Sequence, residues 1–168
     1  MRLPRFIAAL ALAAIAGSAS AAPLKVGNPV PDTVLELADG SKVHLSDLRG
    51  QIVILNLWAT WCVPCRTELP LIDAYYRAAQ NHHWPLRVFA VATEDGVYKY
   101  KLTKLFKLLA ITQTDRIRSG EFDDRDGLPT NYVIDKAGIL RYAQAGAFDL
   151  DKLNDVIVPL VNEPAPAH

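Results

Sequence analysis

Ile52-Val53-Ile54-Leu55-Asn56-Leu57-Trp58-Ala59-Thr60-Trp61-Cys62-Val63-Pro64-Cys65-Arg66 is the stretch that decides the fold. Ile52 to Leu57 runs apolar without alternation, as a strand buried on both faces does. Beyond it, Leu69, Leu71, Ile72, Tyr75 and Tyr76 carry an apolar stripe at helical spacing. Between strand and helix lie the only 2 cysteines of the chain. The helix is predicted to begin at or near Cys62, with Thr60 placed to help cap its amides. Pro64 falls in the first turn, where a missing N–H costs nothing. Pro70 is expected to kink this helix rather than end it.

That placement gives the cysteines a definite chemistry. A helix N-terminus carries unpaired N–H groups and about half a positive charge. Both favour a thiolate at Cys62 and lower its pKa. Cys62, nearer the helix end and the solvent, is the expected attacking thiol; Cys65, one turn in, is the expected resolving thiol. Exchange would run through a mixed disulfide on Cys62, which Cys65 then attacks. A purely structural bridge is disfavoured, because so short a loop removes little chain entropy.

Outward from the dithiol, the chain alternates strands and helices. Thr33–Leu37 and Ser41–Leu45, joined at Asp39-Gly40, read as a β-hairpin. Leu86 to Ala92 is a second β-prone run, followed by the loop Thr93-Glu94-Asp95-Gly96. Tyr98, Leu102, Leu105, Phe106 and Leu109 mark an amphipathic helix. Residues 111–127 show no readable pattern. Asn131–Asp135 and Ile139–Gln144 form a second hairpin, and Leu150, Leu153, Val156, Ile157 and Leu160 a last helix. The order implies one α/β domain over 22–168, a mixed sheet with helices on both faces and antiparallel strands at one edge.

Residues 1–21 have a different character. Arg2 and Arg5 precede an apolar run from Phe6 to Ala16, and Gly17-Ser18-Ala19-Ser20-Ala21 ends in small residues. This reads as a secretory signal peptide cleaved after Ala21; the apolar run is shorter than the roughly 20 residues a spanning helix needs. Export implies an oxidising compartment, where disulfides persist. The formal charge of the whole chain is +0, and loss of Arg2 and Arg5 leaves the mature chain slightly acidic. Neither a nucleic-acid partner nor a polybasic membrane patch is expected. His82-His83 reads as a polar loop, and no third ligand stands at metal-site spacing from the cysteines. No metal is expected, and no cofactor beyond a redox-active Cys62–Cys65 disulfide.

The export signal, the opening hairpin, the run Asn56-Leu57-Trp58-Ala59-Thr60-Trp61-Cys62-Val63-Pro64-Cys65-Arg66-Thr67-Glu68-Leu69-Pro70 and Leu128-Pro129-Thr130 together resemble the thioredoxin superfamily. More narrowly, they resemble its periplasmic TlpA/ResA/DsbE type, over roughly 30–160. The resemblance implies a thioredoxin-like fold with an added N-terminal β-hairpin. It implies that Pro129 is the family's cis-proline beside the dithiol, presenting the backbone of Leu128 to an extended partner segment, with Trp61 and Pro64 also at the substrate. Cytoplasmic thioredoxins carry a buried acid six residues before the first cysteine; Asn56 stands there and cannot titrate. The resembled type places a glutamate at the end of the next strand, which matches Glu94, with Asp95 as the neighbouring alternative. A carboxylate buried there would exchange a proton with Cys65. Arg66 and Glu68 read as surface groups or a local pair.

The expected activity is thiol–disulfide exchange in the periplasm by a monomer, most simply as a reductase of specific protein disulfides. Clients of the resembled type are apocytochrome c haem-attachment cysteines or copper-site cysteines, with a membrane thiol donor to restore the dithiol. The alternatives are a disulfide oxidase or isomerase, and a non-catalytic metal-binding or adaptor module. A peroxidase is disfavoured, because the Pro-x-x-x-Thr-x-x-Cys context of peroxiredoxins is absent.

Overall fold

The structure, a computed structural model, describes residues 24–94, 99–118, 121–124 and 126–164. The expected signal peptide and Asp95 lie outside the described residues. The sheet is formed by β1 (Val34–Leu37), β2 (Lys42–His44), β3 (Ile52–Trp58), β4 (Leu86–Ala92), β5 (Thr112–Ile117), β6 (Thr130–Ile134) and β7 (Leu140–Ala145). The helices are α1 (Val63–Asn81), α2 (Lys99–Phe106) and α3 (Leu150–Asn162). The 7 strands lie in the order β2-β1-β5-β4-β3-β6-β7. β3, β4 and β5 run parallel, while the hairpins β1–β2 and β6–β7 join antiparallel on opposite sides. This is the mixed α/β sheet of a thioredoxin-like fold with its added N-terminal hairpin.

β3 is buried along its whole length, and its alternate residues feed two cores. Ile52, Ile54 and Trp58 pack with Leu69 and Ile72 of α1, Leu102 of α2 and Leu153 and Ile157 of α3. Val53, Leu55 and Leu57 pack on the other face with Leu35, Phe89, Phe122 and Tyr132. That second face takes its helical cover from a 3₁₀ turn at Leu45–Leu48, whose Leu45 and Leu48 are buried.

Two local readings change. Residues 111–127, unreadable in sequence, contain β5, which lies between β1 and β4. Its run Thr112-Gln113-Thr114-Asp115-Arg116-Ile117 lacks an apolar alternation because the strand is specified by backbone pairing on both sides. Thr60 does not cap α1; Cys62 does, its Sγ accepting from the Cys65 N–H at 3.2 Å. α1 runs on through Pro70, as expected of a proline that does not end the helix.

Candidate active site

Cys62 and Cys65 form a disulfide at the N-terminus of α1. The apolar strand β3 delivers the chain to this point, and the loop Ala59–Trp61 turns it into the helix. Cys65 is 0% exposed and Cys62 4%, whereas Trp61 and Val63 beside them are 69% and 62% exposed. The two tryptophans beside the dithiol differ in setting. Trp58 is buried in the core under the dithiol, its ring 5.8 Å from that of Phe106; Trp61 stands in solvent where a partner would meet it.

The cis-proline expectation falls at the adjoining strand end. The Leu128–Pro129 bond is cis. β6 pairs with β3 so that Thr130 faces Leu57, which brings Pro129 beside the carboxyl end of β3, where the chain leads on to Cys62. Leu128 is half-buried and touches both cores.

Glu94 lies just beyond β4, and its Oε1 accepts from the Thr60 N–H at 2.6 Å. It therefore grips the loop that precedes the dithiol and is only partly buried there.

The buried carboxyl beside the dithiol is a different residue. Glu68, expected at the surface, is 2% exposed. The correction has a helical cause: Cys65, Glu68, Leu69 and Ile72 share one stripe of α1, and that stripe faces the sheet. Three donors converge on the carboxylate. Asn56 Nδ2 reaches Oε2 at 2.8 Å. Asn131 Nδ2 and the Phe148 N–H reach Oε1 at 2.7 and 2.6 Å. Burial pushes the Glu68 pKa above its ordinary value, and the Phe148, Asn131 and Asn56 hydrogen bonds oppose that rise. Two signals in the sequence pointed here: an acid on the apolar stripe of a helix, and an asparagine inside an otherwise apolar strand, which needs a buried polar partner.

Next to this acid, Pro64, Thr67, Glu68, Leu71, Ala147 and Phe148 line a cavity of about 300 Å³. It opens beside the first turn of α1, so a segment bound to Cys62 could reach it. Among the described residues, no three His, Cys, Asp or Glu side chains gather to hold a metal. No helix of the described residues is long and apolar enough to cross a membrane.

Comparison with known proteins agrees with this geometry. Residues 26–143 match the AhpC/TSA family. The thiol–disulfide oxidoreductase ResA of Bacillus subtilis (strain 168) is 32% identical over 135 residues, 77% of this chain and 72% of that protein. The thioredoxin-like protein YneN of the same strain is 28% identical, covering 73% of each chain. Among solved structures, the Chlorobium tepidum chain assigned as a thiol:disulfide interchange protein DsbE superposes with a TM-score of 0.67 at 26% identity, over 83% of this chain and 99% of that one. The dithiol lies inside the matched region, and the likenesses of sequence and of fold converge on it: the chain belongs to the AhpC/TSA family, as a thioredoxin-like thiol–disulfide oxidoreductase of the TlpA/ResA/DsbE type.

Proposed function

We propose that this oxidoreductase works as a reductase of specific protein disulfides, exported to the periplasm by a signal peptide, residues 1–21, that is then cleaved. The observation that carries the exchange mechanism is the Glu68 carboxylate, buried one turn beyond Cys65 and facing three donors; the reducing direction follows the resemblance to the TlpA/ResA/DsbE type. A thiol as buried as Cys65 resists ionisation. To act as the resolving group it must lose its proton during turnover, and the buried Glu68 carboxyl on the same helical stripe, its pKa raised by burial, supplies the base.

The Cys62 thiolate attacks one sulfur of a client disulfide; the Cys62–client bond forms, the client S–S bond breaks, and one client thiolate leaves. Cys65 gives its proton to Glu68 and attacks Cys62 Sγ. The Cys62–Cys65 disulfide closes, the second client thiolate leaves, and that thiolate is protonated. Two electrons have passed from the dithiol to the client, and a thiol donor at the membrane must return them. Trp61, Pro64, Leu128 and Pro129 frame the client around Cys62, and the cavity beside Pro64 suits an apolar side chain next to the client cysteine. By their resemblance to this type, apocytochrome c and copper-site cysteines are the client classes. Glu94 is the second carboxylate at the site, and its grip on Thr60 gives it a hold on the attacking end; the proton exchange expected of it is tested below beside that of Glu68.

The test is the reduction potential of the Cys62–Cys65 couple against glutathione or dithiothreitol. A reductase is expected to fall in the range of thioredoxin, about −270 mV, or below it. A value near about −120 mV, that of a strong oxidant, would overturn the direction and leave an oxidase.

A further inference from the structure

Asn56 and Asn131 stand directly opposite each other on β3 and β6, and both are 0% exposed. A cross-strand pair of buried amides in an apolar sheet is costly unless each hydrogen-bonding group is matched. Here the matching is one-sided. Asn56 Nδ2 donates to Glu68 Oε2 and to Asn131 Oδ1, both at 2.8 Å. Asn131 Nδ2 donates to Glu68 Oε1 at 2.7 Å and to the Gly146 carbonyl at 3.1 Å. Asn56 Oδ1 is left buried without a partner.

Both hydrogen-bond partners of Asn56 Nδ2 are oxygens, so its amide faces inward nitrogen first, the orientation that an ionised Glu68 requires. The idle Oδ1 is the cost of that orientation, because a buried carbonyl without a partner is destabilising. An arrangement that leaves it idle is arranged for a carboxylate. The Phe148 N–H adds a third donor from the loop before α3. Asn131 also lies two residues beyond Pro129, so the acid behind Cys65 is tied directly to the strand that begins at the client edge.

We propose that Asn131 and Asn56 are positioning residues of the exchange reaction: their amides, clamped across β3 and β6, hold Glu68 in its ionised form on the stripe of Cys65 so that it can accept the Cys65 proton. The proposal rests on the reading that Glu68 takes that proton. Asn56 and Asn131 touch neither sulfur; they act through Glu68. Among the described residues, Cys65 lies on the helix of Glu68, and Tyr142 of β7 feels its charge, the phenol being raised by burial and by Glu68. Lys152 of α3 lies over the Tyr142 ring, its Nζ 5.7 Å from the centroid.

The test is a single-turnover measurement. The mixed disulfide of Cys62 with glutathione is formed in the full mature chain, and release of glutathione by Cys65 is followed from pH 4 to pH 9. In the wild type the rate is expected to rise with a step where Glu68 ionises. Glu68→Gln is expected to remove that step, while Glu94→Gln keeps it. Asn131→Ala, which deletes one donor to the carboxylate, is expected to move the step up by about one pH unit, the size of one hydrogen bond to a charged group. Asn131→Asp keeps the side-chain shape, replaces the donor by a second acid, and is expected to move it further in the same direction. If Asn131→Ala folds poorly, the Glu68 carboxyl carbon is titrated by NMR in the oxidised Asn131→Asp and wild-type chains, and the same upward shift is expected. A profile unchanged in Glu68→Gln would overturn the role of Glu68 itself. A step lost in Glu68→Gln but unmoved in both Asn131 variants would overturn the clamp alone.

Discussion

Glu68 lies buried one turn beyond Cys65 with three donors on its carboxylate. Its setting also fixes a stability signature. Its folded pKa is raised above the ordinary value of 4.5 chiefly by burial. Between these two values the native chain holds more protons than the unfolded chain, so stability falls as pH rises through that window. Glu68→Gln cannot titrate and is expected to lack this fall. In urea titrations of the oxidised chain, the stability difference should move in favour of Glu68→Gln between pH 4 and pH 8. Parallel curves for the two proteins would mean that the carboxyl is not strained by burial. At this scale the cysteines were fully legible, because a strand, a Cys-x-x-Cys pair and a helix start are local patterns. The partners of Glu68 were not. Asn56, Asn131 and Phe148 come from three distant segments, and only the sheet register brings them to one carboxylate.

At the scale of elements, the sequence showed those held by their own side-chain pattern and hid the one held by its neighbours. α1, β3, β4, α3 and both hairpins carry periodic apolar residues, an unbroken apolar run or a turn signal. β5 carries neither, and its position depends on how the chain arrives. Asp73 of α1 provides that fixing point. Its Oδ1 accepts the Ala110 N–H at 2.5 Å and the Ile111 N–H at 3.2 Å, immediately before β5, and its Oδ2 takes the Arg77 Nε at 2.7 Å. The Arg77 pair is an i,i+4 contact with a half-exposed partner and adds only about 0.5 kcal/mol. The two backbone bonds matter more, because removing the acceptor leaves the buried Ile111 N–H without its partner. Asp73→Ala is expected to lower unfolding stability by about 2–4 kcal/mol with an unchanged m-value. A loss under about 1 kcal/mol would show that water replaces the carboxylate at the head of β5.

At the scale of the whole molecule, redox state and folding are two sides of one cycle. The fold holds Cys62 and Cys65 at the head of α1, with Cys65 in the core and an acid behind it. A helix N-terminus favours a Cys62 thiolate, which stabilises the reduced form and raises the potential. Burial of Cys65 acts the other way: a sealed, apolar site accepts the neutral disulfide more readily than a dithiol that must carry charge. For a reductase the second effect must exceed the first, and by linkage the oxidised chain must then be the more stable toward unfolding. For a strong oxidant the order is reversed, since its power comes from a stabilised reduced form. Urea unfolding of the mature chain, once oxidised and once held in excess dithiothreitol, is therefore expected to give a higher midpoint for the oxidised form. The gap must equal the difference between the potentials of the unfolded and the folded chain, about 1.4 kcal/mol for each 30 mV. A higher midpoint for the reduced form would place the fold on the oxidising side, whatever clients the chain is found to hold.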